Sequence, residues 1–202
     1  MIIGLTGSSG SGKSAAANFF RKHGFYIMDF DAIARYVCIP GSPCVGEMAV
    51  QFGSGIIAAD GSLMREALGD IVFADSKKLE TLNAITRKYI LAEAEKRRAE
   101  CESQGKDIIY DAPLLFEAGL DSQCDFVIAI TADRQTRIER IMKRDGISLD
   151  TARGRLDSQH PNEYYERRSD FCVRNDGTES ELYAELDNIL LKIEDRIHDN
   201  HS

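Results

Sequence analysis

Residues 1–14, MIIGLTGSSGSGKS, decide the fold of this chain. Residues 1–5 form a short apolar run that predicts a buried strand. Residues 7–14 match the pattern G-x-x-x-x-G-K-[ST], whose glycines let successive backbone N–H groups turn inward around phosphate oxygens. An Ala-rich segment follows, and residues 15–23 predict a helix whose positive dipole end would point at the same place. The stretch therefore predicts a strand, a phosphate-binding loop and a helix in succession.

The loop supplies candidate nucleotide-binding residues. We expect Lys13 to reach the outer phosphates and the Ser14 hydroxyl to bind Mg²⁺. The residues expected to contact the nucleotide here are Gly10, Ser11, Gly12, Lys13, Ser14 and Ala15. The alternative is a flexible Gly/Ser-rich linker, but linkers seldom lie between two apolar elements. The motif predicts that a nucleotide is bound without indicating what is done with it.

Composition and charge restrict the class of protein. The chain has 202 residues, of which 43% are hydrophobic and 29% charged, and this suits one globular domain with a substantial core. The formal net charge of −8 argues against nucleic-acid binding through a broad basic surface. No segment approaches the length of a membrane span, and the N-terminus lacks the charged region of a secretory signal. We therefore expect neither nucleic acid nor a membrane as a partner.

The cysteines indicate the compartment. The five cysteines are scattered, with no C-x-x-C pair and no histidine at zinc-ligand spacing. An odd number of scattered cysteines is typical of reduced thiols in the cytosol rather than of a disulfide framework. We expect a cytoplasmic protein, and a monomer as its oligomeric state.

Carboxylates follow two of the predicted strands. Residues 25–28 predict a second strand, parallel to the first, which ends at Asp29 and Asp31. They would lie just past the carboxyl end of a strand, where open α/β sheets bind ligands. Alternatively, Asp31 only caps a helix over residues 32–38. Residues 107–111 predict a third strand ending in Asp111, which either holds the water shell of Mg²⁺ or caps the next turn.

The remaining strands and the helices between them complete an α/β pattern. Residues 125–131 predict a fourth, central strand, and residues 170–173 a short fifth strand. Between the second and third strands lie about seventy residues of helical pattern, which is too long for a simple crossover and predicts an inserted helical subdomain. It includes a long amphipathic helix with Ser76 as its N-cap. Residues 179–197 predict a closing amphipathic helix.

Arginines mark the helix predicted over residues 133–144. Arg137, Arg140 and Arg144 fall at steps of three and four, so they share one helix face. The alternative is an exposed, solvated helix, but a set of three just after a strand favours a phosphate clamp. A second helix follows over residues 148–158, and then a polar stretch at 162–169. We assign no catalytic role to the four histidines.

Together these features predict a phosphoryl-transfer site. That chemistry needs neutralisation of the transferred charge, which Lys13, Mg²⁺ and the arginines can supply. It also needs an aligned nucleophile, and Asp31 is the best candidate to accept a hydroxyl proton. A regulatory GTPase is disfavoured because neither an N-K-x-D-type run after a strand nor D-x-x-G after the third strand is present.

The sequence resembles the dephospho-coenzyme A kinase family over nearly the whole chain. The combination of the phosphate loop with DFDAIAR at residues 29–35 and PLLFE at 113–117 is more specific than the loop alone. The other matching stretches are PGSP at 40–43, AADGSLMR at 58–65, LNAI at 82–85, RIMKRDGIS at 140–148, residues 155–159 and residues 175–177. Departures include Arg87-Lys88 where His-Pro is frequent, and Arg137 where Gln is frequent.

The resemblance implies a reaction and roles for particular residues. It implies transfer of the γ-phosphate of ATP, bound with Mg²⁺, to the ribose 3′-hydroxyl of dephospho-CoA. Asp31 would be the catalytic base and Asp29 would lie near the metal or substrate, while Arg140 and Arg144 would belong to a lid over the phosphates. Asn175 and Gly177 would lie near the adenine. The dephospho-CoA pocket would be shaped by the helical insertion, with Arg35, and by Pro113, Leu114, Leu115, Phe116 and Glu117.

The implied fold is an α/β P-loop kinase with a five-stranded parallel sheet. We expect a single domain over residues 1–202, with its core at about 1–31, 106–136 and 169–202. The helical substrate-binding insertion would cover about 32–105, and the lid about 137–168. Two other functions stay open: another small-molecule or nucleoside monophosphate kinase of this class, and a non-catalytic nucleotide-binding module. Lys13, Asp31 and Arg140 are the expected catalytic residues, and Ser14 and Asp111 the expected metal ligands.

Overall fold

The computed structural model describes residues 1–199, and the chain divides into two compact units. The first unit comprises Met1–Ile27 and the chain from Gly105 onward, and it contains most of the sheet. The second unit, Met28–Gln104, is helical.

The chain forms a five-stranded parallel sheet, as predicted, and the first unit contains all of it except the last two residues of β2. Its strands lie in the order β2-β3-β1-β4-β5, so the N-terminal strand is the middle one. Leu5 of β1 is in register with Asp111 of β3 on one side and with Ile128 of β4 on the other. The strands are β1 (Ile2–Thr6), β2 (Tyr26–Asp29), β3 (Ile108–Asp111), β4 (Phe126–Thr131) and β5 (Phe171–Arg174). Each lies within one residue of its predicted position at either end.

Helices of the first unit cover the sheet with apolar side chains. Phe19 and Phe20 of α1 (Lys13–Lys22) share a buried cluster with Leu182, Leu186 and Ile189 of α9 (Glu179–Asp199). Spacings of three and four residues place the α9 side chains on one face, which confirms the predicted amphipathic helix. The cluster also includes Ile3, Leu5, Ile128 and Ile130 of the two central strands.

Three further helices lie between β4 and β5. They are α6 (Arg134–Asp145), α7 (Leu149–Asp157) and α8 (Asn162–Glu166). The first two agree with the predicted helices, and Ser148 caps α7 by accepting from Thr151 N–H at 3.3 Å. The third was predicted only as a polar stretch, because a single short turn of helix carries too few apolar positions to show a period. Its one buried residue is Tyr165.

The second unit consists of four α-helices and a 3₁₀ turn. They are α2 (Phe30–Val37), α3 (Pro43–Phe52), the 3₁₀ turn Ser54–Ile56, α4 (Arg65–Phe73) and α5 (Ser76–Ser103). The prediction that Ser76 caps α5 is wrong, since Asp75 is the cap and accepts from Lys77 N–H at 2.9 Å. A carboxylate one residue earlier satisfies the same free N–H groups, so Ser76 becomes the first helical residue.

The long helix α5 carries intrahelical ion pairs in its C-terminal half. Arg97 contacts Glu93 at 2.7 Å, and Arg98 contacts Glu95 at 2.6 Å. Such pairs stabilise a solvated helix face only slightly. Within residues 1–199, no helix combines the length and apolarity that crossing a membrane requires.

The cysteines are all free thiols in this structure. Burial is the largest cause that raises the pKa of Cys44 and of Cys124, each to about 12. A thiol with so high a pKa is almost entirely protonated at neutral pH and reacts slowly.

Truncation of one buried leucine on α9 tests this packing. We expect Leu186→Ala to lower the free energy of unfolding by about 2–5 kcal/mol, because Leu186 is 0% exposed. Leu191→Ala, on the same helix but 59% exposed, is the matched control and should change it by less than about 0.5 kcal/mol. Urea denaturation followed by circular dichroism measures both, and equal effects would contradict the burial described here.

Candidate active site

The loop between β1 and α1 depends on glycines for both its backbone angles and its space. Gly12 has a φ of 103°, in the left-handed region, and directly precedes α1. A Cβ atom on Gly12 would lie 2.1 Å from Nδ2 of Asn175. A Cβ atom on Gly7 would lie 2.2 Å from the carbonyl oxygen of Ile130. The phosphate-loop motif thus corresponds to a tightly packed turn at the end of the central strand.

Several donors of this loop have no protein acceptor. The hydroxyls of Ser8 and Ser11 are buried and have no hydrogen-bond partner among the described residues. The N–H groups of Gly10 and Gly12 likewise have no acceptor within residues 1–199. Buried polar groups are almost always paired, so unpaired donors on one loop indicate a site built for an anionic ligand. The sequence did not single out Ser8, because the motif allows any residue there.

Lys13 forms an ion pair with the carboxylate of Asp111. Lys13 is the first residue of α1 and Asp111 is the last residue of β3, and both side chains are largely buried. The structure therefore brings together the predicted phosphate-binding lysine and one of the two predicted metal ligands. Ser14, the other predicted metal ligand, is exposed on the first turn of α1.

Arg140 connects the loop with the turn after β5. Its guanidinium donates to the carbonyl of Asn175 at 2.8 Å and, more weakly, to those of Gly10 and Gly177 at 3.4 Å. Asn175 is buried and donates through Nδ2 to the carbonyl of Ser11 at 2.8 Å. Two predicted site residues, Arg140 and Asn175, thus contact the phosphate loop, and Gly177 is joined to it through Arg140. These contacts place the turn at 175–177 beside the predicted nucleotide site.

Arg144 and Arg137, the other two arginines of the predicted clamp, differ from Arg140 in their contacts. Arg144 pairs with Asp145 at 2.7 Å on the surface and makes no hydrogen bond to the loop. Arg144 and Arg155 together hold the pKa of Asp145 down at about 2. Arg137 is 5% exposed, so the alternative of a fully solvated helix is wrong for this residue. The Arg137 guanidinium donates to the carbonyl of Ser9 at 3.1 Å, so this side chain contacts the backbone of the phosphate loop.

The predicted substrate segment after β3 is only partly accessible. Leu115 and Phe116 are buried, whereas Leu114 is exposed and Pro113 and Glu117 are accessible. The carbonyl of Pro113 accepts from the Thr6 hydroxyl at 3.3 Å, which fixes the segment to the end of β1. Only the accessible residues of this segment could touch a ligand directly.

A cluster of aromatic and charged side chains surrounds Glu117. Glu117 contacts Nε2 of His160 at 3.1 Å, and the His160 ring stacks on Tyr164 with centroids 3.8 Å apart. Arg168 lies over the ring of Phe116 at 4.4 Å. Sequence reasoning missed this cluster because its members come from segments with no shared pattern.

The carboxylates at the end of β2 belong to the second unit. Asp29 is the N-cap of α2 and accepts from Ala32 N–H at 2.8 Å. The alternative in which Asp31 caps the helix is therefore wrong: Asp31 lies in the first turn, exposed, with no hydrogen-bond or ion-pair partner among the described residues. Arg35, in the last turn of α2, is also exposed.

Substitution of one loop glycine tests the close packing of the loop. We expect Gly12→Ala to raise the Kd for ADP at least about tenfold, because the new methyl group would displace Asn175 or the loop. Gly24→Ala is the matched control: Gly24 also has a positive φ, 88°, but nothing lies within 4 Å of the place that its methyl group would take. Isothermal titration calorimetry measures both, and unchanged affinity in Gly12→Ala would contradict the described packing.

Comparison with known proteins identifies the family. The family model described as dephospho-CoA kinase (CoaE) matches residues 1–181. A dephospho-CoA kinase of Corynebacterium glutamicum is 38% identical over 197 residues, covering 97% of this chain and 98% of the relative.

Solved structures agree with that match. The crystal structure of TT1252 from Thermus thermophilus has a TM-score of 0.80 and 28% identity, and covers 95% of this chain and 97% of that one. The dephospho-CoA kinase from Campylobacter jejuni has a TM-score of 0.69 and 25% identity, with coverage of 95% and 96%. The fold is that of the P-loop kinases, and the chain belongs to the dephospho-CoA kinase family.

Proposed function

We propose that this chain transfers the γ-phosphoryl group of ATP to the ribose 3′-hydroxyl of dephospho-CoA, giving CoA and ADP. The observation that carries the proposal is the family match, which extends over the phosphate loop, the segment at 113–117 and the turn at 175–177. The same match favours dephospho-CoA over a nucleoside monophosphate as the acceptor.

The nucleotide is proposed to bind at the loop. The free N–H groups of Gly10, Gly12, Lys13 and Ser14 would donate to the phosphates, and Ser11 would add its unpaired hydroxyl. Ala15, whose N–H donates to the Gly12 carbonyl at 2.9 Å, would border the phosphates without donating to them. Lys13 would exchange its contact with Asp111 for the outer phosphates. Asn175 and Gly177 would border the adenine, because both lie on the turn that Arg140 holds against the loop.

Arg140 and Arg144 are proposed to supply further positive charge. Arg140 already contacts the loop carbonyls of Gly10 and Ser11, which puts its guanidinium beside the loop proposed to bind the phosphates. Arg144 would first have to leave Asp145. We propose that residues 137–168 act as the lid, because closure of such a segment excludes water that would otherwise accept the phosphoryl group.

The residues present fit Mg²⁺. The Ser14 hydroxyl and the Asp111 carboxylate are hard oxygen donors, and Mg²⁺ is typically held by one or two such groups together with phosphates and water. Bound there, the metal would neutralise charge that develops on the transferred phosphoryl group. Asp111 would then hold the water shell of the metal, and Lys13 would contact the phosphates instead of Asp111.

Asp31 is proposed to accept the proton of the 3′-hydroxyl. Its carboxylate is exposed and unpaired among the described residues, so it is available to a substrate. It follows the end of a parallel strand by two residues, and the carboxyl ends of such strands are where α/β sheets bind ligands. Asp29 caps α2 through one carboxylate oxygen and would thereby hold Asp31 at a fixed position on the first turn. The second carboxylate oxygen of Asp29 would be left for metal or substrate.

The acceptor is proposed to contact Pro113, Leu114 and Glu117 directly. Leu115 and Phe116, being buried, would shape this segment from below. Arg35 would attract the phosphates of dephospho-CoA, since it is an exposed cation in the same helix as Asp31. The monomeric state and the cytoplasmic location expected from the sequence are kept as parts of this proposal, as is the expectation of no nucleic-acid or membrane partner.

Replacement of the proposed base gives the first test. With ATP, Mg²⁺ and dephospho-CoA, we expect Asp31→Asn to lower kcat for CoA formation at least about 100-fold, because the amide cannot accept the proton. Affinity for ADP should stay within about twofold of the wild type, since Asp31 does not touch the nucleotide. Chromatographic detection of CoA and calorimetric titration of ADP supply the two measurements.

The control for this test is Asp70→Asn, which removes an exposed carboxylate elsewhere in the second unit and should leave kcat unchanged. Unaltered kcat in Asp31→Asn would exclude Asp31 as the base. A wild-type protein that binds ADP but forms no CoA would support the non-catalytic module, and one that phosphorylates nucleoside monophosphates faster than dephospho-CoA would support the other kinase class.

Removal of the metal gives a second test. We expect EDTA to abolish CoA formation and added Mg²⁺ to restore it. Ser14→Ala should raise the Mg²⁺ concentration for half-maximal rate by about tenfold, because one oxygen donor is lost. Ser103→Ala, at the end of α5, is the control. Metal-independent turnover, or an unchanged Mg²⁺ requirement in Ser14→Ala, would remove the metal site from the proposal.

A further inference from the structure

Ser9 is held at both of its backbone groups by side chains from outside the loop. Its N–H donates to Oε1 of Gln159 at 3.0 Å, and its carbonyl accepts from Nε of Arg137 at 3.1 Å. Arg137 also donates to the same Gln159 oxygen at 3.4 Å, so the three residues form a closed triangle. Ser9 itself lies between the unpaired donors of Ser8 and Gly10.

The orientation of one peptide group follows from this triangle. In a trans peptide the C=O and the following N–H point in opposite directions. Because the Ser9 carbonyl faces Arg137, the N–H of Gly10 points away from Arg137, and it has no acceptor within residues 1–199. The backbone is also fixed by contact, since a Cβ on Gly10 would lie 2.7 Å from the carbonyl oxygen of Arg137. Arg137 thus aims a free donor of the loop toward the side opposite itself.

Among the described residues, the Arg137 guanidinium donates hydrogen bonds only to neutral oxygen atoms. Its guanidinium contacts the oxygens of Ser9, Gln159 and Asn162, the last at 3.2 Å, and no carboxylate of the described chain lies within ion-pair distance. Burial lowers its pKa, yet a guanidinium stays protonated in proteins. An unneutralised cation beside a loop with free donors favours an anionic ligand there.

The same contacts join the loop to the segment between α7 and α8. Gln159 follows α7, and Asn162 is the first residue of α8. Asn162 receives a bond from Arg137 and donates through Nδ2 to the carbonyl of Ala132 at 2.9 Å. Displacement of residues 159–162 would therefore break the bond from Ser9 N–H to Gln159 and remove two acceptors of Arg137, the residue that bonds the Ser9 carbonyl.

We propose that Arg137 and Gln159 are positioning residues that orient the Ser9–Gly10 peptide for phosphate binding and couple the loop to residues 159–162. Neither residue needs to touch the nucleotide, because both act through the backbone of Ser9. The proposal rests on the proposed nucleotide site at the loop but not on the identity of the acceptor, so ADP binding tests it independently of CoA formation.

The first test removes the shared acceptor. We expect Gln159→Leu to raise the Kd for ADP and the KM for ATP at least about tenfold while kcat falls less than about threefold, because the loop must be ordered by the ligand itself. Amide hydrogen exchange at residues 8–12 of the ligand-free protein should accelerate. Gln159→Glu keeps an oxygen acceptor for Ser9 and Arg137, so we expect its amide exchange at residues 8–12 to stay within about threefold of the wild type, whereas its added carboxylate neutralises Arg137 and lowers affinity for an anion.

The second test separates charge from geometry at Arg137. Arg137→Lys keeps a cation but lacks the planar fork whose three nitrogens bond Ser9, Asn162 and Gln159 separately, and we expect it to weaken ADP binding nearly as much as Arg137→Met. Arg134→Met removes an exposed cation from the same helix, one that pairs with Asp157, and serves as the control with unchanged affinity. Circular dichroism and thermal unfolding identify any variant that fails to fold.

Two results would overturn the proposal. One is a folded Gln159→Leu protein with ADP affinity within about twofold of the wild type. The other is failure of Gln159→Glu to restore slow amide exchange at residues 8–12 when Gln159→Leu has lost it. If Gln159→Leu does not fold, Gln159→Glu and Arg137→Lys decide: normal exchange rates and affinity in Arg137→Lys exclude the positioning role. If the wild type binds ADP but forms no CoA, the acceptor assignment fails while these measurements still hold.

Discussion

Three consecutive carbonyl oxygens of the phosphate loop accept hydrogen bonds from side chains outside it. The carbonyl of Ser9 is bonded by Arg137, that of Gly10 by Arg140, and that of Ser11 by Asn175. A loop of glycines and serines has little conformational preference of its own, so these external donors are what fix its shape. The conformation of the phosphate loop therefore depends on residues of α6 and of the turn after β5, which follow the loop by more than a hundred positions in the sequence.

The position of β1 in the sheet explains how such distant residues meet. Because β1 is the middle strand, its carboxyl end is flanked by the ends of β3 and β4. Asp111 therefore reaches Lys13 from one side, and α6, which follows β4, brings its arginines from the other. Consecutive residues of β3 and β4 are buried and apolar, as is typical of central parallel strands covered on both faces.

The strands and the long helices were predictable because their apolar residues recur with a clear period or run unbroken. The loop was predictable because a fixed spacing of glycines and lysine serves one chemical purpose. Helix caps were less predictable: Asp29 competes with Asp31 two residues later, Asp75 competes with the adjacent Ser76, and only backbone geometry selects between the members of each pair. The short α8 gave no signal at all.

Within the site, sequence reasoning grouped three arginines by helical spacing, and the structure separates them. Arg137 and Arg140 contact the loop, whereas Arg144 lies one turn farther on and pairs with its neighbour Asp145. The spacing of residues determines which face of a helix they share. It does not determine which of these residues a neighbouring element contacts. The bonds of Gln159 and Asn162 to this region arise from tertiary packing, which no local pattern reveals.

The contact between Lys13 and Asp111 has a consequence for ligand selection. While the two side chains neutralise each other, an anion that approaches alone must separate them and leaves a carboxylate stranded in a largely buried place. A phosphate compound without a metal would thus gain a contact with Lys13. It would also leave the Asp111 carboxylate without its cation, close to the negatively charged phosphates. A ligand that brings a cation together with its phosphates would satisfy both halves of the separated pair, so under the proposed function the Lys13–Asp111 pair would favour metal-complexed nucleotide over free nucleotide.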